Sequence, residues 1–349
     1  MSLSNISQVL SRNLASLSAK TPLFINLPED GFIAEYKKQY PQTKIRCYNT
    51  YFIDYLDVKN KYGIEVSGEF NALFTSDLTH DTVIIHFPKS KAELNFTLAM
   101  LAPYLGSDAK IFFVGEKKGG VQSTPKLAKS FLTDIHKVDA ARHCLLYVGL
   151  LNQAKNNTTF KLDEWYKTYQ ISIEGVTLNV ASLPGVFSQQ KLDVGTSLLL
   201  HNLPDTMQGR ILDFGCGAGV ISCFIGLKYH DNEINLELLD VSALALASAK
   251  KSLSLNNLTA NIFASDSLSR VNKTYQHIVS NPPFHQGTKT NYKATEDFLA
   301  GIKKHMARQG DISIVANSFL QYPKIIKSSL GNVQTVAKKQ GFSIYFSKA

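Results

Sequence analysis

The chain has 349 residues, of which 44% are hydrophobic, and a net charge of +9. Two domains of ordinary size are expected, and no run of about 18 apolar residues offers a membrane-spanning helix. The polar, Ser-rich start from Met1 to Lys20 lacks an apolar signal core, and Cys47, Cys144, Cys216 and Cys223 show neither metal spacing nor a disulfide framework. A reducing cytoplasm and no resident metal are expected.

The charge excess is mild and shared, +4 over residues 1–160 and +5 over 161–349. It concentrates at the end, where eight basic residues and one acid, Asp311, follow from Lys303 onward. That run suits either a solvated helical face or a track for phosphates.

Residues 1–20 predict an amphipathic helix with Val9, Leu10, Leu14 and Leu17 on one side. Leu23-Phe24-Ile25 predicts a strand closed by Pro28-Glu29-Asp30-Gly31. Strand-like runs follow at 51–53, 70–74 and 83–87, then a helix over 93–105 and a strand over 110–115. Asn152 to Thr159 has the composition of a linker. Beyond it, Tyr169 to Val180 alternates around Glu174-Gly175 and predicts a hairpin. The second half repeats the alternation, with strands predicted at 210–214, 233–239, 261–264, 275–280, 312–316 and 342–346, and helices after the first two and over 197–203 and 297–306. The expectation is an α/β chain with mostly parallel sheets. It is divided into residues 1–155, a linker and hairpin over 156–190, and a second domain over 191–349.

The halves resemble each other. Ile84-Ile85-His86-Phe87-Pro88-Lys89 aligns with Ile278-Val279-Ser280-Asn281-Pro282-Pro283, Ile111 to Val114 with Ile312 to Val315, and Phe74-Thr75-Ser76-Asp77 with Phe263-Ala264-Ser265-Asp266. On this alignment Phe87 stands in place of Asn281. The first half also has no glycine-rich turn after its first strand, so a duplicated domain whose first copy lost its chemistry is expected.

The second half carries the chemistry. Gly215, Gly217 and Gly219 open a helix after a strand, where glycine tolerates positive φ and lets a ligand approach the backbone. The spacing is GxGxG, which leans away from the dinucleotide GxGxxG. Asp240, at the next strand end, is placed for a ribose diol. Asp266 and Ser267, after the third, are placed for the exocyclic amine of an adenine, and Asp213 to orient an ammonium group through water. Each acid alone reads as a cap or turn residue. Together at successive strand ends they mark the place where open α/β sheets bind ligands.

Ser280-Asn281-Pro282-Pro283-Phe284 closes the series. The prolines fix the loop, and Asn281 before a proline is pushed toward an extended backbone. An amide acceptor from Asn281, a carbonyl from Pro282 and an aromatic face from Phe284 suit a planar group carrying an NH2. Two acceptors out of the ring plane favour the tetrahedral nitrogen that methylation requires, with no strong base.

These motifs resemble those of class I S-adenosylmethionine-dependent methyltransferases. The Asn-Pro-Pro-Phe loop with His285-Gln286-Gly287 is similar to enzymes that methylate guanine N2 in ribosomal RNA. Gly115-Glu116, Lys137 to Arg142, Leu183 to Ser188, Leu192-Asp193-Val194-Gly195 and Ile314-Val315-Ala316-Asn317 extend the resemblance over nearly the whole chain to the RsmC family of 16S ribosomal RNA guanine-N2 methyltransferases. That resemblance implies two tandem Rossmann-like methyltransferase domains, the first degenerate. It implies S-adenosylmethionine as cofactor, with Cys216, Val241 and Asn281 joining the cofactor residues above. The implied partner is 16S ribosomal RNA in the small (30S) subunit, met by a monomer without membrane or metal. Rival readings are a 23S ribosomal RNA guanine-N2 methyltransferase, a protein glutamine N5-methyltransferase, whose loop typically ends in Tyr, and a non-catalytic RNA-binding factor.

Overall fold

The computed structural model describes residues 3–152, 154, 159–187, 191–282 and 289–349, with backbone only for 289–293. The chain divides into two compact units, Met1–Trp165 and Tyr166–Ala349. In the first, β1 (Pro22–Ile25), β2 (Arg46–Asn49), β3 (Ser67–Phe70), β4 (His80–His86), β5 (Leu105–Glu116), β6 (Leu132–Ala141) and β7 (Cys144–Leu151) form one sheet, ordered β3-β2-β1-β4-β5-β7-β6. The five from β3 to β5 run parallel, and β7 and β6 complete the edge antiparallel.

The second unit starts with a hairpin, β8 (Lys167–Ile173) and β9 (Val176–Ser182). Its sheet contains β10 (Gly209–Phe214), β11 (Ile234–Asp240), β12 (Asn261–Ala264), β13 (Tyr275–Ser280), β14 (Met306–Asn317), β15 (Gln334–Lys339) and β16 (Phe342–Lys348). The order is β12-β11-β10-β13-β14-β16-β15, the same topology with the same strand directions. Central strands are covered on both faces and are therefore apolar along their length. Ile278, Val279, Ile312, Ile314 and Val315 are all buried.

The hairpin turns at Glu174 and Gly175, both with positive φ, as a two-residue turn requires. It is joined to the rest of that unit by a ladder of side-chain acceptors. The N–H groups of Leu183, Ala181 and Asn179 donate to Ser248 Oγ, Ser252 Oγ and Asn256 Oδ1 on helix Ala243–Leu255 and its cap. Every second strand residue meets every fourth helix residue because both steps advance about 6–7 Å. A strand edge that would otherwise be open is thereby satisfied.

Tyr51-Phe52-Ile53 starts helix Phe52–Tyr62 instead of forming a strand, and Phe52 and Val58 are its buried residues. The ladder also corrects the internal alignment. Both sheets skip at an equivalent point, between His80↔Leu105 and Thr82↔Lys110 in one and Tyr275↔Met306 and His277↔Asp311 in the other. Counted from that skip, the counterpart of Asn281 is His86 and not Phe87. Asn49↔Phe70 and Asp240↔Ala264 likewise place Phe74 to Asp77 beyond β3, so that stretch does not match Phe263 to Asp266. The match of 111–114 with 312–315 stands.

Candidate active site

The carboxyl ends of β10 to β13 gather the predicted residues. Gly215, Gly217 and Gly219 have φ of 71°, 53° and 78°. The N–H groups of Gly215 and Cys216 both donate to Leu239 O, at 2.9 and 3.0 Å, which folds the turn over the end of β11. The glycines serve different ends. A Cβ at Gly219 would lie 3.1 Å from the Ala249 Cα, so its absence lets helix Val220–Lys228 pack closely on the next helix. A Cβ at Gly217 would meet nothing within 4 Å, so the crest of the turn faces open space.

Asp240 ties this turn to the next strand. Its Oδ2 accepts from Gly217 N at 3.0 Å and its Oδ1 from Ser242 N at 2.9 Å. Burial pushes its carboxyl above the ordinary value, and these N–H groups, with that of Val241, pull it back. Ser265 N donates to Asp240 O at 3.2 Å, bringing in the turn with half-buried Asp266 and Ser267, the latter at φ 48°. Val241 is half-buried beside them. The Cys216 thiol is buried and its pKa lies well above the ordinary value because of that burial and of Asp240 and Asp213, so it is no nucleophile.

Asp213 is 1% exposed. Its Oδ2 accepts from Ser222 N and Ser222 Oγ, at 3.2 and 2.7 Å. Its Oδ1 is buried with no hydrogen-bond partner. Burial pushes the carboxyl up to about 7, with the nearby Asp240 adding and the Ser222 bonds opposing. A buried orphan acceptor of this kind calls for a ligand donor, and a cation would serve best. With the open crest at Gly217, it fits the ammonium-bearing S-adenosylmethionine that the motifs imply.

Asn281, half-buried, follows β13, whose Ser280 Oγ donates to Phe214 O at 2.7 Å. Its amide nitrogen donates to Thr196 Oγ1 at 2.7 Å and to Asp193 Oδ2 at 3.3 Å. A carboxylate only accepts, so the NH2 must face it, and the carbonyl oxygen Oδ1 is left as the outward acceptor. Asp193 caps helix Val194–Leu200, with Oδ2 also taking Thr196 N at 3.0 Å. One helix start thus holds the orientation of one amide.

In the first unit the corresponding strand ends are closed. Asn26, at φ 53°, takes the place of Gly215, and its N–H donates to Tyr48 O as that of Gly215 does to Leu239 O. Its side chain accepts from Thr50 N at 2.7 Å and donates to Thr50 Oγ1 at 3.0 Å, tying β1 to β2. Asn49 replaces Asp240 in the ladder. Leu27, Phe52 and Phe87 are buried there, and Phe87 packs 3.0 Å from where a Cβ on Gly115 would lie. His86 Nδ1 lies 3.1 Å from Asn26 O.

Residues 177–346 match the family model of the methyltransferase small domain, and residues 7–169 its N-terminal domain. A protein of Colwellia psychrerythraea called ribosomal RNA small subunit methyltransferase C is 57% identical over 350 residues, covering 99% of this chain and 98% of that one. The chain belongs to the ribosomal RNA small subunit methyltransferase C family. A family member from Pseudoalteromonas translucida is 38% identical over 345 residues, 99% of both chains. A solved structure of the Thermus thermophilus 16S rRNA N2 G1207 methyltransferase (RsmC), with AdoMet and guanosine, shares the fold at a TM-score of 0.82 and 19% identity, over 99% of this chain and 92% of that one.

In this chain the predicted residues Asp213, Gly215, Cys216, Gly217, Gly219, Asp240, Val241, Asp266, Ser267, Asn281 and Pro282 all sit at the ends of β10 to β13. Phe284 lies outside the described residues. Sequence reasoning missed the roles of Asp193 and Thr196. The Asp-x-x-Thr spacing signals a helix cap, but nothing in it signals a partner 85 residues further on.

Proposed function

We propose that this chain transfers a methyl group from S-adenosylmethionine to the exocyclic N2 of a guanine in 16S ribosomal RNA of the small subunit, acting in the cytoplasm as a monomer. By its resemblance to the Thermus thermophilus enzyme the target is G1207. The observation that carries the reading is the amide of Asn281, anchored through its nitrogen so that an acceptor is presented at the end of β13.

When bound, S-adenosylmethionine supplies an electrophilic methyl on a sulfonium. Asp213 would hold its ammonium, Asp240 its ribose hydroxyls, and Asp266 with Ser267 its adenine, over the crest at Gly217. Asn281 Oδ1 and the Pro282 carbonyl accept the N2 hydrogens and draw the nitrogen lone pair out of conjugation with the ring. Phe284 stacks on the base, which leaves its neighbours most easily where the RNA is single-stranded. The proton released passes to water. Asp193 and Thr196 keep the Asn281 amide from turning its NH2 toward the substrate, which would set donor against donor.

The test is tritiated methyl transfer to 30S and 50S particles from cells lacking the protein, followed by nucleoside analysis. N2-methylguanosine in the small-subunit RNA alone is expected. Label in the large-subunit RNA, or in a protein glutamine, overturns the reading.

A further inference from the structure

Residues 312–349 carry five lysines and no acid. The fold carries two of these lysines on β15, the third strand out from β13. Ser280 pairs with Ile314, yet β14 continues to Asn317, so it outruns β13 by three residues, about 10 Å. Asn317 pairs with Phe342, and β16 and β15 extend this wall outward, with Lys338 opposite Ser343 and Lys339 opposite Phe342. Both lysines are exposed. The Phe342 ring lies 3.2 Å from the Cβ position of Gly195, two residues from Asp193, so the wall abuts the helix that holds Asn281.

At the top of the wall stands Phe319, 70% exposed. Its turn is firmly held. Ser318 N donates to Gly341 O at 2.8 Å, Ser318 Oγ and Ser343 Oγ share a bond of 2.7 Å, and Leu320 N donates to Asn317 O at 3.0 Å. A fixed turn that projects a phenyl ring into water, next to a lysine pair without acidic neighbours in sequence, has the composition of a single-stranded nucleic-acid platform. Aromatic faces stack on bases, and lysines answer phosphates. The cofactor residues lie on the opposite side of Asn281, over β10 to β12, so a nucleotide reaching Asn281 from the wall meets no cofactor on its way.

We propose that this wall docks the single-stranded RNA flanking the target guanine, with Phe319 stacking on a base and Lys338 and Lys339, which leave the strand end on opposite faces, each contacting a phosphate. The proposal rests on the methyltransferase reading above for the identity of the RNA, but its binding test does not need catalysis. Lysines and ring are surface groups, so the variants are expected to fold, as a thermal melt will report.

The experiment compares the full chain with Phe319→Ala, with Lys338→Ala/Lys339→Ala, and with Lys348→Ala as a control. Lys348 lies at the far end of β16, opposite Asp311. Affinity for a fluorescein-labelled single-stranded RNA is read by polarisation across a salt series, and KM and kcat are read on 30S particles. Phe319→Ala should weaken RNA binding roughly tenfold. The double variant should lower the slope of log affinity against log salt by about 1–2. Both should raise KM with kcat and S-adenosylmethionine affinity unchanged, and Lys348→Ala should change nothing. Parent-like RNA affinity and slope in the first two variants, or an equal loss in Lys348→Ala, overturns the surface. Absence of methyl transfer by the parent chain alongside the expected binding losses counts instead against the methyltransferase reading.

Discussion

The two units share one sheet topology and differ where that topology ends. In the second, the turn after β10 presents glycines, and Asp240 reaches back to hold it open at Gly217. In the first, Asn26 reproduces the left-handed backbone but spends its side chain on Thr50, and Leu27, Phe52 and Phe87 are buried around it. Asn and Gly both accept positive φ, so the turn survives the exchange while the ligand space does not. The difference teaches that the fold's requirements at this turn are conformational and the site's are spatial. A duplicated domain keeps the former through packing after losing the latter.

The sharpest way to break the contrast is to fill the open crest. Gly217→Val should abolish S-adenosylmethionine binding by calorimetry. The valine's left-handed backbone costs about 1–2 kcal/mol, which a folded domain survives. Opening the first unit with Asn26→Gly should not create a second site, and the full chain should bind one cofactor per polypeptide before and after. An unchanged affinity in folded Gly217→Val, or a stoichiometry of two, would end the comparison in its present form.

Next in size is the outward acceptor. Asn281→Ala should lower single-turnover rates roughly 100- to 1000-fold at saturating cofactor, with cofactor affinity nearly unchanged. His86→Ala, at the equivalent ladder position of the first unit, should leave the rate alone. Should Asn281→Ala keep its rate while His285→Ala loses it, a histidine base must replace the mechanism above.

A smaller effect tests the support of that acceptor. Thr196→Val removes one of two oxygens facing the Asn281 nitrogen while keeping the side-chain shape. A loss of roughly tenfold in kcat is expected, the scale of one hydrogen bond, with KM and melting temperature little changed. Thr196→Ser should restore the rate. A fall in melting temperature with no change in kcat would reduce Thr196 to a structural residue.

The glycine turn, Asp240 and Asn281 were legible because the chemistry demands particular residue types at strand ends, and strands announce themselves by apolar runs. What supports them was not. Thr196 and Asp193 lie 85 and 88 residues from Asn281, and only the fold brings them together. The internal alignment slipped by one because Ile84-Ile85 and Ile278-Val279 are interchangeable apolar pairs, and the skip that sets the register leaves no mark in composition. Strand β15, Gln334–Lys339, escaped notice because as an exposed edge it has no alternating apolar face.

The last contrast distinguishes the two units by charge. Asp213 has the apolar Phe24 as its ladder counterpart, and only the second unit buries a carboxylate there. Its pKa of about 7 in the folded chain stands above the ordinary unfolded value of about 3.9. Between these values the folded chain holds a proton that the unfolded chain has released. Its contribution to stability therefore falls as pH rises from about 4 to about 7 and is level above. A cation placed at the orphan Oδ1 favours the ionised form. Cofactor binding at pH 6 should then release a fraction of a proton that fades by pH 8, since the ligand's own ammonium is already charged at pH 6. Calorimetry in buffers of different ionisation enthalpy measures it directly. Asp213→Asn should bind more weakly and release none of this proton, and its melting temperature should lose the parent's decline between pH 5 and 7. Equal proton release in the parent and Asp213→Asn would move the ammonium away from this carboxylate, and the orphaned oxygen would need another partner.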